Sequence, residues 1–287
     1  MDNFTVIHVD DLGMSRPANL GGVEAMEGAA TCGSIMVPCP GFAEMVEIAR
    51  ERPELDVGCH ITLNNEFPGF AWGPVLDDVP SLCGPDGTLW QKSRETIAHA
   101  DPAEVRREMR AQLELLLDTG IDVTHVDAHM GTALDKAFYR DYIELGLEYD
   151  LPVLALPPAM SDDVDMLAQH GLRTDPALTR EMAASVTQRG FPVFDLVEAE
   201  TPWYNPFVAE HHHRLRIDGL PDARNYFILH SALGGSDLKA FAPDWMQRDS
   251  ERFLFAPGGA LAGEFAARGI KTLGMRELRD QARSGRG

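Results

Sequence analysis

The sequence has few of the features that mark a nucleic-acid-binding or membrane protein. Its 287 residues include 25 Lys and Arg against 45 Asp and Glu, a formal net charge of −20, whereas a polyanion-binding surface needs clustered basic side chains. No apolar run approaches the length of a membrane span, and the N-terminus "MDNFTVIHVDD" has no basic region before its apolar run. We therefore expect that the protein binds neither nucleic acid nor membranes and that it is cytoplasmic.

Disulfides and linkers are also missing. The four cysteines, Cys32, Cys39, Cys59 and Cys83, have no CxxC spacing, so we expect buried free thiols rather than a disulfide framework. Neither a Ser/Gly linker nor an internal repeat divides the chain. With 44% hydrophobic residues, the chain can build one sizeable core, and we expect residues 1–287 to form a single domain.

Short apolar segments alternate with amphipathic ones about seven times. The clearest helix is "DPAEVRREMRAQLELLLDTG", where Asp101, Pro102 and Glu104 form a start similar to a capping box and a glycine follows the end. The predicted strands are "FTVIHV", "SIMV", "DVGCHITL", "VTHVDAH" and "PVLAL", with weaker ones at "FPVFDLV", "YFILH" and "GIKTLG". This alternation predicts a distorted TIM-like (β/α) barrel with about seven parallel strands. An open doubly wound sheet is the alternative.

Ionisable residues recur where these strands end: Asp10, Asp11, His60, His125, Asp127, His129 and His230. Strands buried on both faces are almost wholly apolar, and isolated buried charges are costly, so these groups need partners. A divalent ion would satisfy several of them together, because a carboxylate and two imidazoles suit zinc with one position left for water. His125, Asp127 and His129 share one face of an extended strand. Spacing alone therefore does not choose between the two histidines as ligands.

Each of these residues also has a purely structural interpretation. The acids of "DDLGMS" could cap the following helix, and a lone His60 would more often be a hydrogen-bonded core residue. The run His211, His212 and His213 is expected to be a solvated turn rather than a metal cluster, because consecutive loop residues point in different directions. Indole rings in predicted loops could stack on a sugar ring or pack in the interior: Trp72, Trp90 and Trp203.

Three segments, "DDLGMS", "GCHITL" and "THVDAH", resemble in this order the motifs of the YdjC/ChbG family of carbohydrate deacetylases. The similarity continues through "NLGGVEAMEGAATCGSIMV", "VPSLCGPDGTL" and "FILHSALGG", and it covers most of the chain up to about residue 235. The resemblance implies a hydrolase that removes an acetyl group from an N-acetylated sugar or short oligosaccharide. In that family the attacking group is a metal-bound water, so the implied cofactor is one divalent ion, zinc or magnesium.

The resemblance also implies roles for single residues. Asp10 resembles the base that activates the metal-bound water, and Asp11 resembles a metal ligand. His60 and His129 match the histidine ligands that belong to the second and third motifs. His230 resembles the late histidine that acts as general acid toward the leaving amine. A carboxylate pair thus divides its work: one acid binds the ion and the other takes a proton.

His125 and Asp127 are left by the resemblance as residues that support a ligand or contact the substrate. The sequence departs from the family pattern at several positions. Leu12 stands where Phe is common, residues 130–132 lack further histidines, and Ser231 replaces a frequent proline. An arginine expected around "PVLALP" is missing. These departures spare the implied ligands, so they bear on the substrate more than on the chemistry.

Three other functions fit the same motifs. The chain could hydrolyse another small amide or ester, it could be a sugar-binding relative without catalysis, or the metal could be structural, in which case its removal would unfold the protein. Oligomeric state is not encoded in a recognisable pattern. A homodimer is the commonest arrangement among soluble oligomers and is our default expectation.

Overall fold

The strands form one parallel sheet. The computed structural model describes residues 3–161, 171–199 and 205–286. Its strands are β1 (Phe4–Leu12), β2 (Cys32–Ile35), β3 (Val57–Ile61), β4 (Val123–Ala128), β5 (Leu196–Glu198) and β6 (Arg224–Leu229). They lie in the order β4-β3-β2-β1-β6-β5 and all pairs are parallel. Every residue of the central strand β1 is buried, so the acids at its carboxyl end lie in the middle of the sheet.

Helices connect the strands and pack on the sheet. They are α1 (Arg16–Glu27), α2 (Phe42–Glu51), α3 (Ser93–His99), α4 (Pro102–Asp118), α5 (Tyr139–Glu148), α6 (Pro158–Ser161), α7 (Pro176–Gln188), α8 (Ala209–Asp218), α9 (Ser236–Lys239), α10 (Trp245–Phe255), α11 (Glu264–Ala267) and α12 (Met275–Ser284). α1 packs on β1 and α4 packs on β3. Strand and helix therefore alternate as the sequence predicts.

The start of α4 has the predicted N-cap but not the predicted capping box. Asp101 accepts a hydrogen bond from the backbone N–H of Ala103 at 2.7 Å, as an N-cap should. Glu104 does not complete a capping box, because its carboxylate instead accepts from the backbone N–H and the hydroxyl of Ser81. Four apolar residues at helical spacing are buried: Val105, Met109, Leu113 and Leu116. The helix thus lies on the sheet through the face that the periodicity indicates.

The sheet has six strands rather than about seven. "PVLAL" contributes a single bridge between Val153 and Val126 beside β4. The backbone N–H of Leu154 still donates to Val126, whereas that of Leu156 donates to the hydroxyl of Tyr139. "GIKTLG" likewise contributes one bridge, at Thr272. Within the described residues β4 and β5 remain the two edges of the sheet, so closure into a barrel is not shown.

The histidine run does not form the predicted turn. His211, His212 and His213 lie in α8, and their helical spacing gives them different environments, with the first exposed and the third buried. Three of the four cysteines are buried and all four are free thiols, as expected. In the part of the chain that the structure describes, no helix is both long enough and apolar enough to cross a membrane.

Candidate functional site

The carboxyl edge of the sheet collects the polar residues of the sequence motifs. Asp10 and Asp11 lie near the end of β1, His60 lies in β3, and Asp127 lies in β4. The register pairs His60 with Asp127 directly. Two further histidines, His129 and His230, immediately follow β4 and β6. Parallel strands end at one edge of their sheet, so segments far apart in sequence meet there.

A kink in β1 brings the two neighbouring acids to the same place. Consecutive residues of a straight strand point to opposite faces. Asp11, however, has φ 68°, and the register of β1 against β2 shifts between Val9 and Leu12. As a result Asp10 Oδ2 and Asp11 Oδ1 lie 3.8 Å and 3.6 Å from His60 Nε2. A left-handed non-glycine residue costs about 1–3 kcal/mol and is typical of functional sites.

Three side chains form a buried cluster suited to a metal ion. Ligand atoms of Asp11, His60 and His129 lie within 4.8 Å of one another, and Asp11 Oδ1 is 3.2 Å from His129 Nδ1. Asp11 Oδ1, His60 Nε2 and His129 Nε2 are each buried without a hydrogen-bond partner among the described residues. Because buried polar atoms are almost always paired, these atoms fit a divalent cation.

His60 is oriented from behind. Its Nδ1 lies 2.9 Å from Asp127 Oδ1 and 2.9 Å from the hydroxyl of Ser34, so Nε2 is the atom turned toward Asp11. Burial disfavours the charged ring, but the carboxylates of Asp127, Asp10 and Asp11 raise the pKa of His60 to about 10. A histidine whose second nitrogen is fixed by a carboxylate is the usual arrangement of a metal ligand.

Arg248 is a site residue that sequence analysis missed. This fully buried side chain on α10 donates to Asp11 Oδ2 at 2.6 Å, Asp244 Oδ2 at 2.7 Å and Glu66 Oε1 at 3.1 Å. Burial opposes ionisation of Asp11, but the Arg248 guanidinium and His129 hold the pKa of Asp11 well below its ordinary value. Arg248 thus occupies one oxygen of Asp11 and leaves the other facing the histidines.

His230 approaches the base candidate rather than the ligands. Its Nε2 lies 3.9 Å from Asp10 Oδ2, its side chain is 18% exposed, and its backbone N–H donates to Glu251 Oε2 at 2.5 Å. Burial lowers the pKa of His230, although Asp11 and Asp10 oppose that effect. His230 therefore sits where solvent and a substrate can reach the site.

The structure separates the two histidines that spacing could not distinguish. His129 faces Asp11, whereas His125 Nε2 lies 2.9 Å from His8 Nε2 and its Nδ1 lies 2.8 Å from Thr124 Oγ1. Burial, and then the neighbouring His8, lower the pKa of His125 to about 3. His125 consequently belongs to a hydrogen-bonded network below the cluster.

Two other groups have the composition of a metal site: His8, Cys32 and His125, and His8, Asp10 and Asp127. Both nitrogens of His8 and of His125 already have partners. Burial raises the pKa of the Cys32 thiol well above its ordinary value, which disfavours the thiolate that binds metals. Hydrogen bonds account for these two groups without an ion.

The tryptophans differ in their surroundings. Trp72 is buried, with its ring centroid 6.3 Å from that of His129. Trp90 stacks on His99 and helps to line a half-open cavity of about 390 Å³ that also includes Phe67. Trp203 lies outside the described residues. Of the described pair, only Trp90 therefore lines a space that could receive a sugar ring.

Comparison with known proteins places the chain in a family. The YdjC-like protein family matches residues 5–257. A carbohydrate deacetylase of Brevibacillus brevis is 36% identical over 52% of this chain and 57% of its own length. One of Geobacillus stearothermophilus is 30% identical over 53% of this chain and 60% of its own length. The aligned part thus spans somewhat more than half the length of these relatives.

A solved structure shares the fold. The crystal structure of a cellobiose-phosphate cleavage protein from Enterococcus faecalis V583 superposes with a TM-score of 0.72 over 97% of this chain and 99% of that chain, at 21% identity. At this identity the likeness concerns the fold alone. The extent of the family match, together with the shared architecture, shows that the chain belongs to the YdjC-like protein family.

Proposed function

We propose that the protein is a metal-dependent deacetylase that removes an acetyl group from an N-acetylated sugar or short oligosaccharide. The observation that carries the proposal is the convergence of buried ligand atoms of Asp11, His60 and His129 within 4.8 Å of one another, where Asp11 Oδ1 and His60 Nε2 have no hydrogen-bond partner among the described residues. Side chains that hold the fold together through hydrogen bonds alone would have paired these atoms. The name carbohydrate deacetylase, which several relatives bear, supports the substrate class.

Asp11, His60 and His129 would hold one divalent ion. Two nitrogen ligands favour zinc, while magnesium remains the second candidate because a carboxylate and waters can also serve it. Such an ion supplies an acidified water, with a pKa of ~7, and polarises a carbonyl. Arg248 keeps Asp11 ionised and oriented, and Asp127 keeps His60 oriented.

Asp10 and His230 would move the protons. Asp10 Oδ2 lies 3.8 Å from His60 Nε2, beside the ligand cluster but outside it, which suits a general base. His230 Nε2 lies 3.9 Å from the same oxygen and is partly exposed, so it can protonate the departing amine. The base and the acid thus flank the place where an acetamide carbonyl would sit.

Two rival functions use the same geometry. A hydrolase of another small amide or ester would share every residue named above, and the departures at Met130, Gly131 and Thr132 lie where substrate selectivity would be set. A sugar-binding relative without catalysis would not need Asp10. We favour deacetylation of sugars because the relatives' names agree with it.

The remaining expectations are part of the same proposal. We propose that one domain carries the whole site, that its architecture is a distorted barrel in which the bridge at Val153 extends the β4 edge, and that the protein acts in the cytoplasm. A homodimer is the expected assembly. Size-exclusion chromatography with light scattering tests the last of these directly.

The test compares Asp10→Asn with the unchanged protein and with Asp118→Asn, which alters an exposed carboxylate at the end of α4, in the connection that leads to the amino end of β4. Acetate release from N-acetylated amino sugars and their short oligomers is measured beside simple acetamides and esters, with zinc or magnesium supplied. We expect the sugars to be the better substrates, and Asp10→Asn to lower kcat by about 10²–10⁴-fold while retaining zinc.

Several outcomes would contradict the proposal. Preference for simple amides or esters would favour the first rival, and absence of turnover in the unchanged protein would favour the binding protein. Unfolding on chelation, rather than loss of activity in a folded protein, would indicate a structural metal. Asp118→Asn should behave as the unchanged protein throughout.

A further inference from the structure

A continuous chain of buried polar groups lies beneath the proposed base. His8 Nδ1 is 2.6 Å from Asp10 Oδ1, and His8 Nε2 is 2.9 Å from His125 Nε2. His125 Nδ1 is 2.8 Å from Thr124 Oγ1, which donates to Asp56 Oδ1 at 2.5 Å. Four contacts thus link the carboxyl end of β1 to the residue before β3, where the strands have their amino ends.

We propose that His8 is the positioning residue for Asp10 and that His125, Thr124 and Asp56 hold its ring in the orientation in which Nδ1–H donates to Asp10 Oδ1. The proposal rests on the proposed function, because it assigns Asp10 the role of general base. With Oδ1 engaged by His8, Oδ2 is left as the oxygen that faces His60 and His230.

The direction of the hydrogen bonds follows from the far end of the chain. Asp56 Oδ2 accepts from the backbone N–H of Arg276 at 2.7 Å, and Asp56 Oδ1 accepts from Thr124. A hydroxyl that donates to a carboxylate has its lone pairs left for the neighbouring ring. His125 Nδ1–H therefore donates to Thr124, and His125 Nε2 accepts from His8 Nε2–H. Since His8 Nδ1–H also donates to Asp10, His8 carries a proton on both ring nitrogens.

Packing leaves the ring of His8 little freedom. Its side chain is completely buried, and it stacks on Tyr226 with ring centroids 5.0 Å apart. Behind it, Gly58 leaves room for His125, since a Cβ there would lie 2.6 Å from that ring. Side chains held this tightly are what a catalytic group needs, because a misplacement of ~1 Å can cost about 10²-fold in rate.

Two substitutions at one position separate positioning from general stability. The amide nitrogen of Asn matches the place of histidine Nδ1, whereas that of Gln matches Nε2. His8→Asn can therefore still donate to Asp10, while His8→Gln can reach only His125. Thr124→Val breaks the chain further back. Thr179→Val is the matched control, because its buried hydroxyl donates to the carbonyl of Asp175, the N-cap of α7.

The assays measure kcat, KM, zinc affinity and melting temperature for each variant. We expect His8→Gln to lower kcat by about 10²-fold with KM and zinc affinity unchanged, His8→Asn to restore most of that loss, and Thr124→Val to lower kcat by a smaller factor. Thr179→Val should match the unchanged protein. Equal losses in kcat for His8→Asn and His8→Gln, in step with their melting temperatures, would overturn the proposal.

A second readout does not depend on activity. In metal-free protein labelled with ¹⁵N-histidine, NMR reports which ring nitrogens carry protons. We expect His8 to be protonated at both ring nitrogens and His125 at Nδ1 alone, with the His125 signal changed by Thr124→Val. A His8 ring without a proton at Nδ1 would overturn the proposal even if deacetylation is observed. The expected NMR pattern without any turnover would instead contradict the proposed function.

Discussion

The contact between Asp127 and His60 makes a quantitative prediction about metal affinity. Asp127 Oδ1 lies 2.9 Å from His60 Nδ1, and the carboxylate is almost completely buried. Asp127→Asn keeps the size of the side chain and an oxygen that can accept from His60, but it removes the negative charge that makes the ring a better ligand. We expect zinc affinity to fall by about 10–100-fold, or ~1.4–2.7 kcal/mol.

Competition between metal-free protein and a chromophoric chelator measures this affinity at fixed pH. Asp135→Asn is the matched control, since Asp135 is also a buried carboxylate but pairs with Arg173 instead of a proposed ligand. Ser34→Ala, which removes the neutral partner of the same His60 nitrogen, should cost less than Asp127→Asn. Unchanged affinity in Asp127→Asn, or an equal loss in Asp135→Asn, would refute the assignment of His60 as a supported ligand.

Two further predictions concern stability. Arg248→Met leaves the buried carboxylates of Asp11 and Asp244, and the partly exposed one of Glu66, without their guanidinium partner. It should lower the free energy of unfolding by about 3–5 kcal/mol, against about 0–1 kcal/mol for Arg140→Met at a half-exposed pair. Similar losses for the two variants in urea unfolding would contradict the role of Arg248. His213 accepts a hydrogen bond from Arg216, and burial lowers the pKa of His213 to about 2. As the pH is lowered, the unfolded chain therefore takes up this proton before the folded protein does. The free energy of unfolding then decreases at pH values below ~6.5, the pKa of the histidine in the unfolded chain. The unchanged protein should therefore lose about 2 kcal/mol more than His213→Gln between pH 7 and pH 5, while the opposite contribution of Glu251, whose pKa burial raises to about 7, is common to both; equal pH slopes would contradict it.

Local sequence signals predicted most of the fold. Alternating strands and helices, the cap at Asp101 and the buried stripe of α4 all depend on neighbours within a few residues, and each is found in the structure. The predicted strand at "PVLAL" is reduced to one bridge, and the backbone N–H of Leu156 has a tertiary partner, the hydroxyl of Tyr139, that spacing does not predict. The helix over the histidine run escaped prediction because its buried face depends on packing by His213 against the sheet side of α10.

Some residues of the candidate site are indicated by local motifs, and others depend on tertiary contacts. The motifs point to Asp10, Asp11, His60 and His129, and the structure brings these four side chains together at the carboxyl edge of the sheet. Arg248 was missed because it joins the site from α10, more than two hundred residues after Asp11. The sequence did contain a signal, because charged residues of α10 lie on the same buried helix face as Leu254 and Phe255. Spacing could not predict the hydrogen-bonded chain through His8, because it depends on register between strands.

The central claim is that one divalent ion binds between Asp11, His60 and His129. Anomalous scattering at the zinc absorption edge, from crystals of zinc-supplied protein, tests it most directly. The account predicts one strong peak at about 2.0–2.2 Å from an oxygen of Asp11 and a nitrogen of each histidine. A site without a peak, or a peak among His8, Cys32 and His125 instead, would contradict it.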